Sequence, residues 1–322
     1  MGLPRVLILG LGGTIAMTAG GEGAVPTLSA ADLVAAVPAL ADVAAVSARS
    51  FRSKPSAHLT FADLEELADR IRSAPEFDGF VITQGTDTIE ESAFALDLLL
   101  GGVAAPVVVT GAMRNPSLPG ADGPANLLAA VQTAASPAAR GLGVLVVMND
   151  EIHAARFVQK AHTANTAAFT SLPRAPLGMV AEGDVRMDFT LAPLPPLPGP
   201  KQREARVALL VASLGDEGDL FRAAVASGYD GIVVEAFGGG HVTLALAEAI
   251  EAAARRIPVV VTPRPRRGPV LRATYGFPGG EIDLARRGAI LGAAFDSLKA
   301  RVWLRLLLER GADAQTIRAV IC

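Results

Sequence analysis

An α/β fold with a mostly parallel sheet is the architecture this 322-residue sequence predicts, on three observations. Short β-branched runs alternate with alanine- and leucine-rich amphipathic stretches, the order in which parallel strands and crossover helices follow one another. Runs such as "VLIL" at 6–9 and "VLVVM" at 144–148 are apolar without alternation, as strands covered by helices on both faces are. A hydrophobic content of 51% over this length is ample for a large core.

In chain order, a strand at 5–10 is followed by a helix at 29–37, for which Ser29 is the N-cap. A strand at 43–49 leads to a helix at 60–74, where Thr60 and Asp63 form a capping-box start. Strands at 79–83, 106–110 and 143–148 alternate with helices at 88–100 and 123–135. The stretch 149–169 reads as polar, and Lys160 is expected in a loop there. The segment "LAPLPPLPGPKQRE" at 191–204 has five prolines and then a charged run, so it continues neither helix nor sheet. The expected organisation is therefore an N-terminal domain over 1–190, a Pro-rich linker over 191–205 and a smaller α/β domain over 206–322. That second domain reads as strands at 206–211, 231–234 and 258–261, with helices at 217–227, 242–256, 283–290, 294–310 and 314–321.

A formal net charge of −3 provides no excess of positive charge for a phosphate backbone or an anionic membrane, so neither nucleic acid nor membrane is an expected partner. One cysteine, Cys322, leaves no intrachain disulfide to form and nothing that requires an oxidising compartment. No secretory pattern and no apolar run of about 20 residues is seen, so a cytoplasmic protein is expected. The four histidines, His58, His153, His162 and His241, have no metal-ligand spacing; no metal or cofactor is expected.

Ligands of open α/β sheets bind beyond the carboxyl ends of the strands. After the first strand comes "GLGGTIAM", in which Gly10 and Gly12 match a dinucleotide fingerprint but Ile15 stands at its third glycine. What remains is a Gly-Gly turn with Thr14 at the strand tip, placed either as a helix cap or as a nucleophile. After the strand at 79–83 comes "TQGTDTIEE", where Thr86 and Asp87 are either simple caps or, with helix N–H groups, a site for a zwitterion. Only four of the 29 basic residues are lysine, and Lys160 is one of them. Unlike arginine, a lysine amine can relay a proton, here from Thr86.

Taken together, "GGTIA" at 12–16, "QGTDTIEES" at 84–92, "VTGAMR" at 109–114, "FVQKAHTANTAAF" at 157–169, "SGYDGIV" at 227–233 and the tail "KARVWLRLLL" at 299–308 resemble the bacterial L-asparaginase (asparaginase/glutaminase) family, in order and spacing across the chain. The resemblance implies a large N-terminal flavodoxin-like domain with a smaller C-terminal one, and hydrolysis of L-asparagine to L-aspartate and ammonia without a cofactor. It implies Thr14 as nucleophile on a lid, Thr86, Lys160 and Asp87 as the second threonine with its proton-relay partners, and substrate contacts from Gly13, Ser56, Gly85, Thr86 and Asp87. It also implies a homo-oligomer, dimer or tetramer. Two other readings of the same motifs are a non-catalytic amino-acid sensor and a glutamine-using amidotransferase subunit; the latter is expected to carry an extra N-terminal domain, whereas here the first strand starts at residue 5.

The sequence departs from the family pattern in places. Gly23-Ala24-Val25-Pro26 stands where the lid tyrosine is expected, and the chain's tyrosines are Tyr229 and Tyr275, which makes Tyr275 the candidate substitute. Gln84 replaces a histidine, Ala57 a glutamine and His241 an asparagine; the acidic residue a neighbouring subunit donates has no clear match, although Glu281 is nearby. These changes concern the lid and the substrate's far end, which predicts hydrolysis of asparagine with little of glutamine.

Overall fold

The computed structural model describes residues 2–20, 23–26, 28–292 and 295–322, with the side chains of 18–20 and 23–26 outside that description. The chain divides into two units, Met1–Leu194 and Pro195–Cys322.

In the first unit, β1 (Arg5–Gly10) passes through one 3-10 turn, Thr14–Ala16, into a hairpin of β2 (Met17–Gly20) and β3 (Gly23–Pro26). Then α1 (Ala30–Ala35) and α2 (Leu40–Val43) return to β4 (Ala45–Ser50). Three crossovers follow: α3 (Phe61–Arg72) to β5 (Gly79–Thr83), α4 (Ile89–Leu99) to β6 (Val107–Thr110), and α5 (Gly123–Ala135) to β7 (Val144–Met148). The unit ends with short strands β8 (Glu151–Ala154), β9 (Val158–Lys160), β10 (Phe169–Ser171), β11 (Gly178–Ala181) and β12 (Asp184–Met187).

The main sheet has eight strands in the order β12-β11-β8-β7-β6-β5-β1-β4. Its parallel half, β4-β1-β5-β6-β7, is the 2-1-3-4-5 order of flavodoxin-like folds. Val6, Leu7, Ile8 and Leu9 are at most 1% exposed, as the non-alternating pattern of a doubly covered strand requires. Both sequence-read caps are present: Ser29 with Asp32 opens α1, and Thr60 with Asp63 opens α3 as a full capping box. The strand expected at 43–49 starts later, because Val43 is taken into the last turn of α2.

Two expectations are corrected. Residues 149–169 are not a polar loop: β8 adds an antiparallel strand beside β7, and Lys160 ends β9, paired across a two-stranded ladder with Phe169. Strands of three or four residues are too short to show a period of two, so nothing in the pattern announced them. In the second unit the helix read at 283–290 stops early. There α8 (Glu281–Arg286) is closed by Gly288 in a left-handed conformation, φ +97°, and Ile290–Leu291 form a strand instead.

That unit runs β13 (Val207–Val211), α6 (Asp219–Ala226), β14 (Gly231–Ala236), α7 (Leu244–Ala254), β15 (Val259–Pro263), α8, β16 (Ile290–Leu291), α9 (Ser297–Glu309) and α10 (Ala314–Ile321). Its four strands are parallel and in sequential order, and Ile232, Val234, Val259, Val261, Ile250 and Leu284 fill its core. The start of the helix read at 294–310 lies outside the described residues. Among the described residues no helix is long and apolar enough to cross a membrane.

Candidate active site

The strand order of the first unit reverses between β1 and β5, and the segments leaving these two strands are those that carry Thr14 and Thr86. This is the crevice where ligands of open α/β sheets sit. Their backbones touch there. A Cβ placed on Gly13 would meet the Gly85 nitrogen at 2.0 Å, and Gly13 has φ +84°, so the turn requires glycine twice over. Thr14 and Thr86 are the residues that follow this contact. Behind it, Leu11 donates its N–H to the Thr83 carbonyl at 2.8 Å, which ties the two strand ends together.

Thr86 opens a single 3-10 turn, Thr86–Thr88, that leads directly into α4. Its side chain is buried, 5% exposed, and its methyl faces Gly111 of the "VTGAMR" segment, where a Cβ would come within 3.2 Å. Lys160 reaches in from β9. Its ammonium donates to Thr86 Oγ1 at 2.9 Å and to Asp87 Oδ1 at 2.6 Å. The lysine side chain is 15% exposed, while Asp87 is 69% exposed with one carboxylate edge open to solvent. The three side chains form one connected chain of hydroxyl, amine and carboxylate. A hydroxyl and an amine in such contact can exchange a proton during a reaction, and an open carboxylate can receive a cationic group.

Ser56, 3% exposed, lies in a 3-10 turn against the same segment: a Cβ on Gly85 would fall 2.7 Å from its hydroxyl. Thr88 donates to the Ser56 carbonyl at 3.1 Å and so joins the two turns. Thus Gly13, Ser56, Gly85, Thr86, Asp87 and Lys160 are brought together by direct contacts. Thr14 joins them through its neighbour Gly13; its hydroxyl is half-buried and has no hydrogen-bond partner among the described residues. Ala24 lies in β3, but its side chain is outside the described residues.

Gln84, fully buried just after β5, accepts from Ser92 Oγ of α4 at 2.9 Å and donates to the Gly85 carbonyl at 3.2 Å, bracing the turn against α4 as a neutral side chain. Tyr275 and His241 belong to the second unit, where the rings meet edge-on with centroids 4.9 Å apart and His241 approaches Glu281 at 3.2 Å. His153 is not exposed at all and meets Ser171 Oγ at 2.8 Å. Among the described residues no group of three His, Cys, Asp or Glu side chains could hold a metal ion.

Asn126 went unread in the sequence. Its amide donates to the Gly111 carbonyl at 3.0 Å and accepts from the Asn149 N–H at 2.9 Å, so it holds the segments after β6 and β7 to each other. The available signal was a lone amide in the apolar run "PANLLAAV" of α5.

Comparison with known proteins places the chain in a family. The family described as "Asparaginase, N-terminal" matches residues 5–192, and "Glutaminase/Asparaginase C-terminal domain" matches 206–321. A probable L-asparaginase of Deinococcus radiodurans is 37% identical across 99% of this chain and 97% of its own length. An L-asparaginase of Bacillus licheniformis is 36% identical across 94% of this chain and 95% of its own, and L-asparaginase 2 of Escherichia coli is 36% identical across 99% and 93%. The class defined by these matches is an α/β amidohydrolase. More closely, the chain belongs to the asparaginase family.

Proposed function

We infer that the protein hydrolyses L-asparagine to L-aspartate and ammonia, with Thr14 as nucleophile and Thr86, Lys160 and Asp87 as a proton relay. The observation that carries this reading is the position of the Lys160 ammonium, 2.9 Å from Thr86 Oγ1 and 2.6 Å from Asp87 Oδ1. An unactivated amide needs a positioned hydroxyl, a group to take its proton and donors for the oxyanion.

In this scheme the Thr14 hydroxyl adds to the side-chain carbonyl, and backbone N–H groups around Gly13 and Thr86 receive the oxyanion. Lys160 passes a proton through Thr86 to the departing nitrogen, and the proton that the Thr14 hydroxyl gives up replaces it on the relay; the C–N bond breaks, ammonia leaves and an ester to Thr14 remains. Water then cleaves the ester to release aspartate. The open edge of Asp87 holds the substrate ammonium and Ser56 its carboxylate, with Gly85 allowing the close approach. Residues 1–190 carry this site, 191–205 act as linker and 206–322 form the smaller domain, in a homo-oligomeric cytoplasmic enzyme that needs no cofactor.

The test is ammonia release from L-asparagine, D-asparagine and L-glutamine by wild type, Thr14→Ala and Thr86→Val. Release from L-asparagine, lost in both variants, is the expected result. Full activity of Thr14→Ala overturns the nucleophile assignment, and binding of L-asparagine without ammonia release would make the protein a sensor.

A further inference from the structure

Near the end of α4 far from Thr86, against the start of β7, lies a second acid–base pair that the scheme above does not use. Asp97 is in α4, ten residues after Asp87, and Arg156 is four residues before Lys160. Their side chains are 6% and 10% exposed, with Arg156 Nη2 3.7 Å from Asp97 Oδ2. The other carboxylate oxygen accepts the Val144 N–H at 2.9 Å, and the Val144 carbonyl in turn accepts the N–H of Ala155, beside Arg156. Arg156 also donates to the Ala192 carbonyl at 2.8 Å.

The space for this arrangement is built into the backbone. Gly143 has φ +77°, and a Cβ there would fall 2.2 Å from Asp97 Oδ1. Two charges buried in an apolar layer are costly unless each satisfies the other, so a pair retained there has a defined geometry to maintain.

That geometry is a frame clamped at both ends. Asp87 stands in the 3-10 turn at the head of α4, which advances about 12 Å from Ile89 to Asp97, and Arg156 stands in the turn that enters β9, four residues before Lys160. The 3-10 turn and the helix it leads into supply both acids, Asp87 and Asp97; β9 and the turn before it supply both bases, Lys160 and Arg156. The exposed clamp, Asp87 with Lys160, is the one expected to change partner when substrate arrives. The buried clamp has no such freedom.

We propose that Asp97 and Arg156 are positioning residues: their buried pair fixes the turn that enters β9 against α4, so that the Lys160 ammonium stays within hydrogen-bond reach of Thr86. The inference rests on the relay reading, and its test separates the two. In parallel, Lys160→Met, Arg156→Met, Arg156→Lys and Asp97→Asn are assayed for kcat and KM on L-asparagine, for the pH profile of kcat and for thermal unfolding. Lysine 13Cε labelling follows the Lys160 signal, resolvable among four lysines, without needing activity.

The expected result is a loss of kcat of about tenfold to a hundredfold in Arg156→Met and Asp97→Asn, with KM within about threefold, as a displaced catalytic group gives. The pH profile of kcat and the Lys160 resonance both change in these two variants, and Arg156→Lys, which keeps the charge, recovers most of kcat. An active Lys160→Met overturns the relay reading and this role with it. An inactive Lys160→Met beside an Arg156→Met of wild-type kcat, pH profile and Lys160 titration overturns the positioning role alone. If Arg156→Met does not fold, Asp97→Asn decides: wild-type kcat with an unmoved Lys160 resonance in that variant refutes the inference.

Discussion

Gly13 and Gly85 pack backbone against backbone, with 2.0 Å between the Gly85 nitrogen and the place a Cβ on Gly13 would occupy. A methyl there must push apart the two segments that hold Thr14 and Thr86, and the positive φ of Gly13 adds strain of its own. Gly13→Ala is expected to lower kcat/KM by about 100-fold or more, the cost of displacing a reacting group by about 1 Å. The measurement is steady-state ammonia release with a thermal melt of the same sample. A variant that folds and keeps wild-type kcat/KM contradicts the idea that this contact sets the site.

Lys160 separates activity from stability. Its contact with Asp87 is short, but the carboxylate is 69% exposed, and pairs of that kind contribute about 0–1 kcal/mol to folding. Its contact with Thr86 is the one the relay needs, and losing a proton-transfer group costs about 10²–10⁴-fold in rate. Lys160→Met is therefore expected to lose most of its kcat while urea unfolding moves by about 1 kcal/mol or less. Comparable kcat in the variant and the wild type would sink the relay.

Why was so much of this site legible in the sequence, and where did legibility stop? The parallel strands are long enough and apolar enough to declare themselves, and the proposed nucleophile and relay threonine sit just after two of them, at Thr14 and Thr86. Scarcity singled out Lys160 in an arginine-rich chain. Its setting was misread because β9 is three residues long, and its conformation depends on pairing with β10 nine residues away. The Asp97–Arg156 pair lay further out of reach: a carboxylate inside an apolar helix shows no partner in the sequence, and the partner arrives 59 positions later. Helix ends were legible where a side chain caps them, as at Ser29 and Thr60, and were misjudged at α8, where a glycine conformation ends the helix.

His153 makes stability depend on pH. It is fully buried on β8, and desolvation lowers its pKa from the ordinary 6.5 to about 4. The unfolded chain binds this proton first as pH falls, so the stabilising effect is complete above about pH 6.5 and is lost between there and about pH 4. A shift of this size corresponds to about 3 kcal/mol. Urea titrations at pH 7.5, 5.5 and 4.5 are expected to show that decline, and His153→Gln to flatten it. An equally steep decline in the variant would assign the pH dependence to other groups.

Asp63 links the start of α3 to the floor of the Gly-Gly turn. Its carboxylate accepts from Lys54 Nζ at 2.8 Å, Arg52 Nε at 2.8 Å and Thr60 N–H at 2.9 Å, while the backbone of Lys54 lies 2.8 Å from where a Cβ on Gly12 would be. Burial pushes its pKa up, but the hydrogen bonds from Lys54, Arg52 and Thr60 outweigh it and hold the group well below the usual carboxylate range. A depressed carboxylate stabilises the fold above its unfolded pKa of about 3.9 and ceases to do so as pH falls further. Asp63→Ala removes a cap and charge-assisted hydrogen bonds together, for an expected loss of about 2–4 kcal/mol. Denaturant unfolding at pH 7 measures it, and a loss below about 1 kcal/mol would show that Lys54 and Arg52 are satisfied elsewhere.

Substrate preference is the sharpest solution test of the proposed chemistry. Where the chain departs from its family's pattern, at Ala24, Ala57 and His241, the changes fall on the lid segment, beside Ser56 and in the second unit, while Thr86, Asp87 and Lys160 remain in contact. The relay alone does not distinguish asparagine from glutamine, since both present the same amide. In the proposed site, discrimination comes from the distance between that amide and the α-ammonium and carboxylate assigned to Asp87 and Ser56, and glutamine lengthens it by one methylene. An extra methylene in a close-fitting pocket is worth about 1–3 kcal/mol, or about 10–200-fold in kcat/KM. L-asparagine is therefore expected to exceed L-glutamine by that margin. Equal kcat/KM on the two amides would mean that the ammonium and carboxylate contacts are loose enough to absorb a methylene, and the tight placement argued from Gly85 and Ser56 would not hold.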